Sequence, residues 1–205
     1  DRDAVVAHHR AACAPSNGVL AVFGDLDLDA TEAVVRKLFG GWEGAFTGQK
    51  PEFVEPPLTE SRVVAMPTDK GQVVITLGYP GATLNDEDRY VLQVIDAAIS
   101  GLGLPSGWLH TELRGKRDLV YYVHAIDWQG FGAGAFYVVC PCSPKDYDEV
   151  IGIIREQIAR VAAVGFSEEE LESARRMCIT VGQLRRQTNN ERAQAAALDE
   201  LYGFG

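Results

Sequence analysis

Apolar and polar positions divide the chain into a helical opening, a strand-rich middle and a helical last third. Asp3 to Cys13 reads as a helix, Pro15-Ser16-Asn17-Gly18 as a turn, and Val19 to Phe23 as a short apolar strand. Asp27 stands as an N-cap to a helix from Leu28 to Phe39. Ala30, Val34 and Leu38 recur there at helical spacing, and Gly40-Gly41 end it. Residues 1–41 thus read α-β-α, and the lone strand needs partners from elsewhere. From Gly44 to Leu58, Pro51, Pro56 and Pro57 read as an extended linker.

Ser61 to Met66 and Gln72 to Tyr79 then read as two strands around a Thr68–Gly71 turn. Asn85 is placed to cap the next helix with Asp88 three residues on, and Val91, Val94, Ile95 and Ala98 form its expected buried face. Gly101, Gly103 and Pro105 break that helix. A short helix fits Ser106 to Lys116, with Leu109 and Leu113 on one face and Arg114, Lys116 and Arg117 at its C-terminal end. Leu119 to Trp128 reads as a strand, joined through Gln129–Gly134 to a second one, Ala135 to Cys140.

In the last third, Ser143-Pro144 opens a helix with the stripe Val150, Ile151, Ile154, Ile158 and Val161, and Gly165 ends it. Ser167 with Glu170, and Thr188 with Glu191, form two capping boxes. The first opens a helix turning Leu171, Ala174, Cys178 and Val181 inward. The second opens a helix whose Ala193, Ala196, Ala197 and Leu201 predict tight packing. Paired strands followed by grouped helices predict an α+β fold: a two-layer sandwich with an antiparallel-rich sheet covered by helices on one face.

Composition narrows the function. A net charge of −10 argues against nucleic acid and anionic membrane surfaces, which both require a basic face. No apolar run reaches the ~18 residues of a membrane span. The chain therefore reads as soluble, with its compartment left open. With no initiator Met and Asp1 in what reads as mid-helix, it also reads as a piece of something longer. Cys140 and Cys142 flank Pro141 without a second ligand pair at zinc spacing, so all four cysteines read as buried free thiols.

Arg114 and Tyr121 lie seven residues apart across a helix-to-strand turn that can bring both side chains to one surface. A guanidinium fork and a phenol hydroxyl together hold a carbonyl or an oxyanion. The alternative reading of the same residues is a helix-end cap and a half-buried strand aromatic.

Four stretches, taken in order, resemble the pitrilysin/insulinase family of zinc metallopeptidases, which includes the mitochondrial processing peptidases. They are SNGVLAVFGDLDLDATEAVVRKLFG (Ser16 to Gly40), GQVVITLGYP (Gly71 to Pro80), LRGKRDLVYYV (Leu113 to Val123) and GFSEEELESARR (Gly165 to Arg176). The resemblance implies residues 1–43 as the end of one family repeat, 44–59 as a linker, and 60–205 as the following α+β repeat. The family's zinc sits on an inverted HxxEH helix. His8, His9, His110 and His124 lie in no such motif, and adjacent His8 and His9 point about 100° apart on a helix. The chain thus resembles the non-catalytic half of a zinc endopeptidase and carries no cofactor of its own. Zinc is expected in a catalytic half, in the same chain or a partner subunit. The resemblance further implies a peptide substrate in a clam-shell chamber, with Arg114 and Tyr121 reaching it. Two departures are Asp118, where the family commonly has Gly, and the run GLGLPSG, where Leu102 and Leu104 interrupt the glycines. The alternative, from another class, is a structural repeat of a family member without proteolysis. The periplasm or cytoplasm of a bacterium is the expected setting.

Overall fold

A computed structural model describes residues 1–48 and 56–204, which fall into two compact units: 1–48 with 182–204, and 56–181. Much of the expected linker, Pro51 included, lies outside the described residues, and Gly44–Gly48 and Pro56–Leu58 carry no regular secondary structure.

The first unit holds α1 (Arg2–Ala12) and α2 (Leu28–Phe39). At the start of α1 the Asp1 carboxylate accepts the Ala4 amide at 2.8 Å. Asp27 caps α2 in the same way, as its sequence position predicts. Thr47 N–H donates to the Ala11 carbonyl and Phe46 N–H to Ser16 Oγ, tying the end of this piece to its first helix. One expectation fails: Val19 to Phe23 is not a strand, since a single apolar segment has no ladder to join, and Val19, Leu20, Val22 and Phe23 stay exposed. Neither α1 nor α2 buries a residue.

The second unit is α+β. Its sheet holds β1 (Val73–Gly81), β2 (His124–Gln129) and β3 (Gly134–Cys142) in the order β1-β3-β2, antiparallel throughout. Ile75 pairs with Cys140, and Ala125 with Val138, so the inward residues of all three strands share one face. Around them pack α3 (Asp88–Ser100), α4 (Tyr147–Val164) and α5 (Glu168–Leu184). The core joins Ile75, Val138 and Cys140 from the sheet to Ile99, Leu109, Leu113, Val150 and Ile154. The reverse face is more open, with Val74 and Trp128 both more than half exposed. α6 (Asn189–Tyr202) follows in the first unit.

Gly165 stops α4 with φ +69, the left-handed backbone that favours glycine, and both capping boxes form as their spacing predicts. Other boundaries shift. Ser61 to Met66 forms no strand: Val63, Val64 and Met66 are each at least 80% exposed, with no sheet neighbour. Asn85 lies in a turn ahead of α3, and it is the Asp86 carboxylate that accepts the Asp88 amide, at 3.0 Å. Of the expected face of α3, Ile95 packs against the core while Val91 stays exposed, and the helix fully buries Asp96, Ala97, Ile99 and Ser100 at its C-terminal end. There Ser100 Oγ donates to Asp96 at 2.5 Å and satisfies both polar groups. Ser143 makes no cap bond, since a 3₁₀ turn, Pro144–Asp146, precedes α4. α6 buries no residue and leaves Leu201 exposed, so the tight packing expected of its alanines is absent. Cys140 and Cys142 are buried thiols, Cys178 is half-buried, and Cys13 is exposed, against expectation.

Two measurements check this description. Amides of Val19 to Phe23 are expected to exchange with solvent orders of magnitude faster than those of Val73 to Leu77, which sit in a ladder. Equal protection in a proven monomer would contradict it. Ile154→Ala, which opens a cavity at a fully buried core position, is expected to cost about 2–5 kcal/mol in denaturant unfolding.

Candidate functional site: an arginine and a tyrosine at a helix-to-strand turn

The site is built by one irregular helix. Ser106 to Lys116 was the expected span, but Gly107 takes φ +87, and a Cβ there would meet Ile99 backbone at 2.6 Å. The helix therefore begins only at Trp108 and then widens into a π-helical turn over His110–Gly115, in which Lys116 N–H reaches the Thr111 carbonyl at 2.9 Å. Leu109 and Leu113 are fully buried and pin this turn to the core. Arg114 follows directly and is left partly exposed.

The strand expected from Leu119 to Trp128 is broken. Asp118 has φ +53, the chain bends at Tyr121, and Val120 alone bridges to β3, at Cys142, before β2 begins at His124. A left-handed residue at 118 interrupts the extended backbone that a continuous strand needs. Tyr121, expected early in a strand, is instead 80% exposed at the bend. Tyr122 stacks on His124 with ring centroids 5.3 Å apart.

The two residues singled out from sequence do come together. The Arg114 guanidinium carbon lies 5.8 Å from the centroid of the Tyr121 ring, within cation–π reach. Arg114 Nη1 also donates to Asp118 Oδ1 in a close ion pair, and to the Val120 carbonyl at 3.5 Å. Asp118 is the member of this constellation that sequence reading passed over. It appeared there only as a departure from glycine, although its i,i+4 spacing from Arg114 was a usable signal.

The neighbouring cations are occupied. Lys116 donates to Glu112 at 2.5 Å and Arg117 to the other Glu112 oxygen at 2.6 Å. These bonds, Lys116 first, hold the Glu112 carboxyl below its ordinary 4.5. Elsewhere, burial pushes the Asp127 carboxyl up, and burial next to Cys142 pushes the Cys140 thiol up to about 12. Cys140 is thus an inert core thiol rather than a nucleophile. A separate cavity of about 330 Å³ lies in the helical layer, lined by Ser106, Trp108, Thr111, Glu170 and Met177. It does not include Arg114 or Tyr121.

Among the described residues, no three His, Cys, Asp or Glu side chains gather in a way that could hold a metal ion. His8 and His9 sit on α1, His110 on the π-helical turn and His124 on β2.

An α+β domain with an Arg–Tyr surface at a helix-to-strand turn is the class of structure the geometry defines. The family model described as the peptidase M16 inactive domain matches residues 1–178, and the chain belongs to that family. It is 29% identical over 180 residues to an uncharacterized zinc protease of Streptomyces coelicolor, covering 85% of this chain and 37% of that protein. It is 30% identical over 167 residues to an uncharacterized zinc protease of Mycobacterium leprae, covering 78% of this chain and 36% of that one. The chain thus spans little more than a third of these relatives. Among solved structures, a protease from Helicobacter pylori superposes with a TM-score of 0.73 at 16% identity, covering 88% of this chain and 44% of that one. A peptidase M16 inactive domain from Pseudomonas fluorescens gives a TM-score of 0.64 at 19% identity, covering 89% and 43%. Both share the fold. Among the described residues no helix is long and apolar enough to cross a membrane.

Because Glu112 is a depressed carboxyl, its pairing is complete above pH 4.5 and is lost as pH falls through its lowered midpoint. A carbon-detected NMR titration is expected to place that midpoint below 4.5, and to return Lys116 and Arg117 to mobile behaviour on the acid side.

Proposed function

We propose that this chain is a non-catalytic domain of a zinc endopeptidase and forms part of its peptide-binding chamber. In this reading residues 1–43 end one family repeat and 60–205 form the next. The zinc belongs to a catalytic half outside the chain, on the same polypeptide or a partner subunit. Arg114 and Tyr121 contact the bound peptide, and the open face of the sheet, with Val74 and Trp128, lines the chamber.

The observation that carries the reading is the pairing of Arg114 with an 80%-exposed Tyr121. A phenol buried for packing would hide its ring, whereas this one stands in solvent beside a guanidinium that keeps free donors. An Arg fork offers two parallel N–H groups to a carbonyl, and the phenol hydroxyl adds a third donor. Donors held in place before the peptide arrives act most strongly when charge develops on its carbonyl oxygen. A second reading, a scaffold repeat without proteolysis, draws support from the ion pair that already occupies part of Arg114.

The test uses the complete parent protein. Arg114→Ala and Tyr121→Phe are each expected to lower turnover, by about 10²–10³-fold if one donor to a developing oxyanion is lost. Melting temperature is expected to hold, because both side chains carry little packing. The scaffold reading predicts the reverse: lower melting temperature with per-molecule turnover kept. Wild-type turnover in both variants would overturn the proposal.

A further inference from the structure

Resting on the peptide-contact reading above, we propose that Asp118 sets the charge preference of the Arg114 site, so that it accepts a neutral peptide carbonyl and disfavours an acidic side chain beside it. A lone arginine would do the opposite. Its full positive charge and planar fork suit a carboxylate better than any neutral acceptor. Here the fork is not alone. Arg114 Nη1 donates to Asp118 Oδ1, and the two formal charges cancel. The second anchor, the Val120 carbonyl, also falls on Nη1, so Nη2 and Nε remain free to donate. What faces solvent is then a hydrogen-bond donor without net charge, beside a carboxylate that is 80% exposed. A neutral carbonyl loses nothing at such a site. An incoming carboxylate meets repulsion from Asp118 that offsets its attraction to Arg114.

Lys116 and Arg117, the two nearest cations in sequence, are both bonded to Glu112; that single carboxylate offsets one of their two charges, so Asp118 acts within a turn that keeps one net positive charge. The backbone singles out the same residue. Asp118 and Leu102 are the described non-glycine residues with positive φ, and at +53 the position is one that glycine would occupy most easily. Aspartate is among the few side chains that adopt this backbone, and here it brings its carboxylate to Arg114. The ion pair with Arg114 is the contact this side chain makes there.

The experiment uses the full parent protein and two peptides that differ only by Glu against Gln next to the scissile bond. Asp118→Asn removes the charge and keeps an acceptor for Arg114. Asp118→Gly suits the left-handed backbone and guards against misfolding. Both are expected to raise the ratio of kcat/KM for the Glu peptide over the Gln peptide, by about two- to fivefold, the range of an exposed charge pair. The gain is expected to shrink in high salt. Arg114→Ala is run alongside on both peptides. If it slows the Gln peptide while both Asp118 variants leave the ratio unchanged, the peptide-contact reading stands and this inference falls. If it leaves turnover of both peptides at the wild-type level, the contact reading falls and takes the inference with it.

Discussion

The complete burial of Leu109 and Leu113 is the constraint on which the candidate site depends. Two leucines four residues apart would mark one face of an ordinary helix. Here they sit under a helix that starts late, because Gly107 presses against the end of α3, and that widens into a π-helical turn by Lys116. With Leu113 fixed in the core, Arg114 is driven to the boundary between core and solvent. The leucine pair also sets the exit of the chain, since Leu119 N–H returns to the Leu113 carbonyl at 2.9 Å. Core packing thus places a polar site that itself contributes little to stability.

Charge is handled locally around this turn. Glu112 holds Lys116 and Arg117, and Asp118 holds Arg114, so two carboxylates offset two of the three cations and the segment keeps one net positive charge. Such exposed pairs contribute little to stability. Their effect is on what the surface presents: hydrogen-bond donors in fixed places, with the Arg114 charge offset by Asp118. In the proposed reading that suits a peptide backbone, which is neutral and rich in carbonyls.

The polar groups at this turn serve hydrogen bonding: Arg114 donates to Asp118 and to the Val120 carbonyl, and Glu112 accepts from Lys116 and Arg117. Cys140 and Cys142 lie on the inward face of β3, where burial raises both thiols and makes them packing groups.

Local chemistry was legible in the sequence wherever a residue decides its own neighbourhood. The Asp27 cap, the boxes at Ser167–Glu170 and Thr188–Glu191, the glycine stop at Gly165 and the inward stripe of α4 all rest on contacts within one or two turns. The antiparallel β2–β3 hairpin and the α+β class followed from alternation and order. The meeting of Arg114 and Tyr121 was expected from the turn between them. What only the tertiary structure decided were features that need a distant partner. Val19–Phe23 and Ser61–Met66 have strand-like composition but no ladder to complete, so propensity alone did not make them strands. The fully buried residues of α3 depended on which end entered the core, and the late start of the helix at Trp108 on how closely Gly107 approaches Ile99. Asp118 became a member of the site only when the backbone turned left-handed there and brought its carboxylate to Arg114. A one-dimensional pattern records spacing but not that change of direction.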